Sequence, residues 1–570
     1  MLNKRSFTHG CLLSGVVAGL VLGASCSAPA EYDVILRNGL VYDGSGGAPL
    51  QADVAIRGDT IAAIGQLADH GAKTEIDVSG LAVAPGFINM MSHAQETIVV
   101  DGRAQSDIYQ GITLEVMGEG RSMGPVNEAV RQDMQERGDD LPYDIAWTTL
   151  AEYLQHLETR GVSPNVASFI GATTVRIHEL GQENRPPTPE ELGRMQALTR
   201  TAMEEGAIGV ASALMQVPGP YAKTDELIAL ASIAAEYDGL YASHMRFSGP
   251  RLLDGIAEVI TIAKEADIRA EVYHLKAVGR ENVGNLDKAV AMIEKARSDG
   301  LQITADTYPY NAGSGGLTAA MPPWVGEGGQ QERVRRLKDP ALRKRIAREM
   351  LTPADDWENL YLGVGGPTGY LVVGLQKPEL KHLNGKTVAE IAELWGTSPE
   401  EAAMDLIIKD DSRVMSVGFS MAEENIRKKI PLPWMSFCTD SPAVAPEGIF
   451  LKTHIHPRAY GSYPRILAKY VREEKVVSLE EALHRMTAFP AQVLKIDRRG
   501  MLKEGYYADI VAFDPETIQD RATYTEPHQF STGMIHVFVN GGHVLKDGEH
   551  TGATPGRFVR GPGWKPSAGG

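Results

Sequence analysis

Three short apolar segments end in side chains that can bind a metal ion or move a proton. His244, His274 and Asp440 each stand at or just after the end of such a segment. The 30-residue step from His244 to His274 has room for one strand and one helix. It therefore predicts neighbouring parallel strands with both imidazoles at the same carboxyl end, which is the catalytic end in barrels. Neutral imidazoles suit Zn²⁺, and a nearby carboxylate can take and return a proton of the attacking water.

The elements that must position these residues alternate between apolar strands and amphipathic helices. The apolar positions Leu252, Ile256, Val259 and Ala263 recur at helical spacing, and the next interval repeats that pattern. This rhythm is typical of βαβ units around a parallel sheet. The strands expected in this part of the chain are 112–117, 165–170, 207–213, 239–243, 270–273, 302–307 and 433–439.

The two ends of the chain have a different pattern of apolar residues, typical of short antiparallel strands. Alternating apolar residues with Gly or Asp between them occur at 33–42, 53–58 and 60–65, and return at 508–513 and 537–545. We expect one small β-sandwich made from both ends, residues 32–84 plus 497–560, with the barrel or sheet unit at 85–496. Charged helical stretches at about 329–425 interrupt the rhythm and predict an insertion near the active face.

The first 28 residues are predicted to be a signal segment. Lys4 and Arg5 precede an apolar stretch, 11–24, that is shorter than the ~20 residues of a membrane-spanning helix. The run 22–26 (LGASC) resembles a lipobox, which would make Cys26 a lipid anchor; the alternative is ordinary cleavage near 25–28. Either way we expect an exported protein, periplasmic or membrane-anchored as a lipoprotein of a bacterial envelope, that meets a membrane only through this end.

Composition excludes several classes of protein. The 570 residues are 43% hydrophobic and 23% charged, which is typical of a folded chain, and the net charge is −17. Because no strong basic patch offsets that charge, we expect no nucleic-acid partner. Only Cys11, Cys26 and Cys438 occur, so a disulfide framework is excluded.

Several motifs together resemble the amidohydrolase superfamily, most closely its D-aminoacylase (N-acyl-D-amino-acid deacylase) branch. The resemblance covers nearly all of 32–560. It implies an α/β fold, a (β/α)₈ TIM-like barrel with a β-sandwich from both termini and an inserted helical lid, and zinc-dependent amide hydrolysis. The motifs are 33–39 (DVILRNG), 83–88 (VAPGFI), 205–209 (EGAIG), 243–246 (SHMR), 274–276 (HLK), 306–310 (DTYPY), 439–440 (TD), 456–465 (HPRAYGSYPR), 507–511 (YADIV) and 552–557 (GATPGR).

The match to the family's metal ligands is incomplete. The usual first-strand His-x-His is missing, because Met91 stands where the first His is expected and only His93 remains. Relatives often carry a Cys in an early turn, where this chain has Glu119; a carboxylate can replace a thiolate on Zn²⁺. The resemblance thus implies one Zn²⁺ on Glu119, His244 and His274. Glu119 as a plain turn carboxylate, and His93 as a further ligand, stay open alternatives, while Glu115 ranks below Glu119.

The resemblance also implies how a substrate would bind. Arg458 matches an arginine that grips the substrate α-carboxylate, a task that suits a guanidinium fork. Tyr221, Tyr308 and Tyr310 lie near strand ends, where each can contact substrate or form ordinary pocket wall; of the three, Tyr221 is predicted to bind substrate. Cys438, two residues before Asp440, is expected to be a buried small hydrophobe, with a place in the pocket wall as the alternative.

The prediction is a zinc hydrolase that cleaves the amide of N-acyl amino acids, of D configuration, to a carboxylate and a free amino acid. Asp440 would be its general base and acid. Two alternatives stay open: a cyclic-amide or dipeptide hydrolase resembling dihydroorotase or isoaspartyl dipeptidase, and a catalytically inactive lipoprotein that only binds a ligand. The acyl group, the side chain and the oligomeric state are not determined by the sequence.

Overall fold

The computed structural model describes residues 31–137, 141–354, 357–452 and 454–565. The predicted signal segment, residues 1–28 with Cys26, lies outside these ranges. Within them, no helix is both long enough and apolar enough to cross a bilayer.

Strands occur at both ends of the chain and alternate with helices between them. In chain order they are β1 (Tyr32–Val41), β2 (Leu50–Arg57), β3 (Thr60–Gly65), β4 (Ala72–Asp77), β5 (Ala82–Pro85), β6 (Phe87–Ser92), β7 (Ile112–Met117), β8 (Asn165–Ser168), β9 (Ile170–Gly171), β10 (Gly209–Ala213), β11 (Leu240–His244), β12 (Arg269–Val272), β13 (Ile303–Thr307), β14 (Gly313–Gly316), β15 (Tyr370–Gly374), β16 (Met415–Gly418), β17 (Met435–Phe437), β18 (Ile510–Phe513), β19 (Met534–Val539), β20 (Gly542–Lys546) and β21 (Glu549–His550).

The α-helices of the described residues lie between β6 and β18. They are α1 (Thr97–Val100), α2 (Gln105–Ile108), α3 (Glu128–Arg137), α4 (Leu150–Arg160), α5 (Ala172–Leu180), α6 (Pro189–Glu205), α7 (Thr224–Ala235), α8 (Leu252–Glu265), α9 (Asn285–Ser298), α10 (Gly329–Lys338), α11 (Pro340–Met350), α12 (Leu360–Gly363), α13 (Val388–Trp395), α14 (Pro399–Asp410), α15 (Glu423–Lys429), α16 (Arg458–Arg465), α17 (Leu479–Met486) and α18 (Ala488–Leu494).

Parallel strands form the central wall of the molecule. One ladder runs β6–β7–β8, and a second runs β9–β10–β11–β12–β13–β17. β8 and β9 are separated only by Phe169, whose amide donates to Met117 O at 2.9 Å. At the other edge the Asp440 amide donates to Met91 O at 3.1 Å, which joins the end of β17 to β6. The two ladders thus meet at both edges, and the strand ends after β11, β12 and β17 share one rim.

Helices cover the outside of this wall because one face of each is apolar. In α8 the buried positions include Leu252, Ile256, Val259 and Ala263, which are the positions expected from the sequence spacing. α9 buries Leu286 in the same way, so both predicted helical intervals are confirmed.

Sequence signals fix where several helices begin and end. Thr149 and Thr188 each form a capping box with the Glu three residues later, so that two free amides are satisfied at each helix start. α6 has Pro189 as its first residue and ends at Gly206, which adopts a left-handed conformation.

Strands from the two chain ends pair in a single nine-stranded sheet. Its order is β21–β20–β19–β18–β5–β1–β2–β3, with β4 beside β1. The antiparallel pair β18–β5 joins the ends, through partners such as Val511 and Ala84. Two segments more than 400 residues apart in sequence therefore share one hydrophobic cluster, which includes Leu36, Val54, Ile510 and Phe538.

The chain between β13 and β17 adds a separate layer over the rim. It holds the three-stranded sheet β14–β16–β15 and helices α10 to α15. Its own apolar cluster, including Leu317, Leu337, Ile346 and Val388, is distinct from the cluster formed by the helices that cover the central strands. The layer therefore packs as a unit beside the strand ends.

Candidate active site

Three predicted metal-binding side chains converge at the strand ends. His244 Nδ1 lies 2.7 Å from Glu119 Oε1, and His274 Nε2 lies 3.1 Å from the same oxygen. The two ring nitrogens are themselves 3.1 Å apart. A tetrahedral zinc ion with bonds of about 2.0–2.1 Å holds its ligand atoms roughly 3.3 Å apart. The donor set therefore fits Zn²⁺ after movements of a few tenths of an ångström.

Local backbone geometry delivers these side chains to the rim. Glu119 stands between Gly118 and Gly120, whose φ values of 103° and 63° favour glycine. A β-carbon at Gly118 would lie 2.4 Å from Phe169 O, so that position requires glycine for space as well. His274 and Asp440 also have positive φ, 35° and 49°, a strained backbone that persists only where its surroundings enforce it.

A second carboxylate lies beside the triad. Asp440 Oδ1 is 3.1 Å from His93 Nε2, which is also 3.2 Å from Glu119 Oε2. His93, Glu119 and Asp440 are thus a second group able to hold an ion, sharing Glu119 with the first. Met91 contributes no ligand atom, because its side chain is buried in an apolar cluster with Phe169 and Tyr273.

The charge states of the site match a metal-binding set. Burial alone would raise the pKa of Glu119, but His244 and His274 outweigh it and hold that pKa well below its ordinary value. Burial, with the charge of Lys276 and then His244, lowers the pKa of His274 to about 3, so its ring is neutral. For Asp440, the effect of burial is overcome first by Arg458 and then by His274, and its pKa is lowered. Two ionised carboxylates and a neutral imidazole therefore face one another near neutral pH.

Arg458 bridges the general-base candidate and the cavity. Its Nη1 donates to Asp440 Oδ2 at 2.6 Å, and its guanidinium stacks over the Tyr308 ring at 4.6 Å. Its buried Nε and the buried Tyr308 hydroxyl have no hydrogen-bond partner among the described residues. Both groups can donate a hydrogen bond beside the reaction centre, and a bound carboxylate could accept both.

Two groups that the sequence argument gave no role also belong to the site. Lys276 Nζ lies 2.6 Å from His274 Nδ1, and Asp306 Oδ1 accepts from the His274 amide at 2.6 Å. Together they fix the ring and the backbone of His274. Both residues stand in motifs quoted above, and the signal that could have found them is their place at the ends of β12 and β13.

The other predicted residues fall in different places. Tyr221 is buried in a short turn and is not among the residues that line the cavity, so the structure gives no support to its predicted substrate contact. Cys438 is fully buried and donates to Asp306 at 3.2 Å, and Glu115 lies inside the strand wall, bonded to Asn89.

A cavity of about 710 Å³ opens over this centre. This volume lies in the range of small-molecule sites. Its walls come from the strand ends and from the layer between β13 and β17. Wall residues include His93, Glu119, His244, Lys276, Tyr308, Asp440 and Arg458.

Comparison with known proteins identifies the family. The model of the amidohydrolase family Amidohydro_3 matches residues 373–545. A D-aminoacylase of Alcaligenes xylosoxydans xylosoxydans is 30% identical over 94% of this chain and 99% of its own length. The chain belongs to the D-aminoacylase branch of the amidohydrolase superfamily. It is thus a hydrolase of carbon–nitrogen bonds other than peptide bonds, in linear amides, and not an inactive binding protein.

Solved structures of D-aminoacylase relatives share the fold. The N-acyl-D-glutamate deacylase of Bordetella bronchiseptica, complexed with zinc and a phosphonate inhibitor, has a TM-score of 0.76 and 28% identity over 93% of this chain and 99% of its own. A D-aminoacylase described as having a binuclear metal centre has a TM-score of 0.75, with 28% identity and 93% and 100% coverage. This D-aminoacylase-branch protein therefore has the TIM-barrel amidohydrolase fold.

Proposed function

We propose that this amidohydrolase is a zinc-dependent deacylase that converts N-acyl-D-amino acids to a carboxylate and a free D-amino acid. The observation that carries the proposal is the convergence of Glu119, His244 and His274, with Asp440 beside them at the base of the cavity. Relatives at 30% identity named for this chemistry support the substrate class.

Glu119, His244 and His274 would hold the zinc ion. When bound there, zinc polarises the substrate carbonyl and lowers the pKa of the attacking water. The chain supplies one carboxylate and two imidazoles for it, and Lys276 orients the His274 ring from behind.

Asp440 is placed to move the proton. Its low pKa keeps the carboxylate ionised, so that it accepts a proton of the attacking water at one oxygen. The same group then delivers that proton to the leaving nitrogen, which becomes the free amine. His93, 3.1 Å from Oδ1, holds the carboxylate in position for both transfers.

The substrate α-carboxylate would bind between Arg458 and Tyr308. Arg458 has a buried Nε without a partner, and Tyr308 has a buried hydroxyl without one among the described residues. A carboxylate there draws Arg458 away from Asp440. Because Arg458 lowers the Asp440 pKa, this exchange would raise it and make Asp440 a better acid for the second transfer.

One zinc ion is the proposed stoichiometry. Met91 removes one imidazole from the second group, which leaves His93, Glu119 and Asp440. Asp440 cannot act freely as a base while it binds an ion. A related D-aminoacylase is described as activated by one metal and attenuated by the second, which supports the single-ion form here.

Residues 329–425 would act as the lid, and residues 1–28 as the export signal. The lid proposal is supported by the cavity lining that this layer contributes. The export proposal is supported by Lys4, Arg5 and the apolar stretch after them, with Cys26 as lipid anchor or cleavage near 25–28 as the alternative. Cell fractionation of the wild type and Cys26→Ala separates the two: loss of membrane association in the variant indicates lipidation.

Metal analysis tests the zinc site directly. Purified wild type should contain about one zinc per chain and hydrolyse N-acetyl-D-methionine, whereas His244→Ala should lose both. His70→Ala changes a surface histidine that pairs with Glu31 and serves as the matched control. Zinc retained in His244→Ala together with unchanged hydrolysis would show that the metal does not rest on this residue.

A further inference from the structure

A second cationic wall faces the active-site cavity from the proposed lid. Arg333, in the first half of α10, and Arg413, just before β16, both line the cavity. Gly316 and Gly326 leave room for them: a β-carbon at Gly316 would be 3.0 Å from Arg413 Cβ, and one at Gly326 would be 3.2 Å from Arg333 Nη2. The two guanidinium groups are near enough that Arg413 disfavours the charge of Arg333.

Arg333 differs from Arg335 and Arg345 in having no counter-ion among the described residues. Among the described residues no carboxylate lies within ion-pair distance of Arg333, whose Nη1 donates to Gln330 Oε1 at 2.5 Å. Arg335 in the same helix pairs with Glu332 at 2.9 Å, and Arg345 in the next helix pairs with Glu349 at 2.7 Å. Burial, with the charges of Arg413 and Arg336, lowers the pKa of Arg333 to about 10. A partly buried cation without a counter-ion is costly, and an anion in the cavity would relieve that cost.

Other donors lie on the same wall. Gln330 also lines the cavity, and because its Oε1 is held by Arg333, its buried Nε2 is left without a partner among the described residues. α10 starts here, after Gly328, with no side chain capping its free amides. A helix start carries partial positive charge and favours anions. Arg333, Gln330 and this helix start thus present donors to one part of the cavity.

The distance between this wall and the proposed α-carboxylate site sets the length of substrate that could reach both. The Tyr308 hydroxyl lies 3.5 Å from the β-carbon position of Gly313, at the start of β14, and Arg413 packs against Gly316 at its end. Three steps of about 3.3 Å along a strand give roughly 10 Å between these points. A substrate with a second charged group several bonds from its α-carboxylate could therefore reach both places within one cavity.

We propose that Arg333, Gln330 and the start of α10, with Arg413 adjacent, bind a second carboxylate of the substrate. The inference rests on the proposed deacylase function and narrows its substrates to N-acyl amino acids with two carboxylates. The second carboxylate has two sources, the amino-acid side chain or the acyl group. A carboxylate from either source would accept from the same donors, and matched pairs of substrates distinguish the two sources.

Two isosteric pairs of compounds test the proposal on the zinc-loaded protein. N-acetyl-D-glutamate is compared with N-acetyl-D-glutamine for a side-chain carboxylate, and N-succinyl-D-leucine with N-(4-methylpentanoyl)-D-leucine for an acyl carboxylate. Hydrolysis gives kcat/KM for each compound, and calorimetric titration of zinc-loaded Asp440→Asn gives Kd. In at least one pair the charged compound should be favoured by about 10- to 100-fold, the usual strength of a charge-assisted hydrogen bond. The favoured pair names the source.

Variants assign the effect to this wall. Arg333→Gln should reduce the preference for the charged member about 10-fold or more, and Arg333→Lys should retain part of it. Arg335→Gln, on the exposed side of the same helix, should leave the preference and the activity unchanged. Thermal unfolding verifies that each variant is folded, and a variant that does not fold is replaced by Gln330→Leu, which removes the neighbouring donor.

The outcomes separate this inference from the proposed function. Hydrolysis of all four compounds without charge preference overturns the second-carboxylate site and leaves the deacylase proposal intact. Absence of hydrolysis of every compound overturns the deacylase proposal. In that case the titration still decides the site: equal Kd within each pair, or a preference unaffected by Arg333→Gln, overturns it.

Discussion

At the residue scale, the chemistry depends on which atom each side chain presents. His244 offers Nδ1 and His274 offers Nε2, and both face one oxygen of Glu119. Residue types and spacing predicted that His244 and His274 share one rim, whereas Glu119 was predicted only from the resemblance to the family. The atom choice was not predictable, because it follows from ring orientations set by Lys276 Nζ on one side and Met215 Sδ on the other.

Glu119 should be replaceable by a softer ligand but not by a neutral one. Glu119→Cys restores the thiolate that relatives often use, and we expect it to keep zinc and part of the activity. Glu119→Gln keeps the shape but removes the negative charge, so zinc content and kcat should both fall steeply. Metal analysis with kinetics verifies this; equal zinc in the wild type and Glu119→Gln would exclude Glu119 as a ligand.

Asp440→Asn should separate catalysis from metal binding. Loss of a general base and acid costs about 10²- to 10⁴-fold in kcat. Because Asp440 lies outside the zinc triad, the variant should keep about one zinc per chain. Loss of zinc in this variant would mean that Asp440 is a ligand in the resting site.

Arg458→Met should change both substrate binding and the pH profile. Removing the proposed carboxylate partner should raise KM by about 10- to 100-fold. Arg458 also lowers the Asp440 pKa, so its loss raises that pKa and moves the acid limb of the kcat/KM profile to higher pH. An unchanged acid limb would show that another group controls it.

At the element scale, the alternation of strands and helices and the buried face of a helix were predictable, because each leaves a regular spacing of apolar residues in the sequence. The α8 pattern is an example, since its apolar spacing matches its buried face. Helix bounds in the layer between β13 and β17 were less readable, because α10 and α11 are charged and pack on a cluster of their own. Arg333 belongs to these charged stretches, and no local sequence pattern shows that it lines a cavity. The domain division at 85 and 497 stays a prediction.

The turn that carries Glu119 should tolerate no side chain at Gly118. Gly118→Ala places a β-carbon 2.4 Å from Phe169 O at a φ of 103°. We expect a loss of about 2 kcal/mol or more in the free energy of unfolding, together with weaker zinc binding. Gly181→Ala is the matched control, since it has positive φ but open space around it. Chemical denaturation would contradict this account if both variants lost the same stability.

The buried carboxyl of Glu115, inside the strand wall, should make the free energy of unfolding decrease as the pH rises. Burial raises the pKa of Glu115 to about 7. Between its ordinary value of 4.5 and about 7, the unfolded chain releases this proton while the folded protein keeps it, so rising pH favours unfolding. Glu115→Gln removes this effect. Its Tm relative to the wild type should therefore rise from pH 5 to pH 8, and a constant difference would show that Glu115 is already ionised in the fold.

At the scale of the whole molecule, the parallel strands hold the proposed metal ligands at one rim, and two further parts of the chain complete the protein. The nine-stranded sheet ties both chain ends together, and the layer after β13 closes the cavity with its own side chains. The sequence predicts these three parts from the spacing of apolar and charged residues and from the resemblance to the family. It could not show which residues of the layer between β13 and β17 line the cavity, since that depends on packing between segments distant in sequence.

The central claim is zinc-dependent hydrolysis of N-acyl-D-amino acids, and one measurement tests it most directly. N-acetylated D- and L-forms of leucine, methionine and glutamate are assayed with zinc-loaded protein, with chelator-treated protein, and after zinc is restored. We predict hydrolysis of D-forms that is lost with the chelator and recovered with zinc, with little turnover of L-forms. Turnover that survives complete removal of the metal, or no turnover of any D-form, would contradict the account.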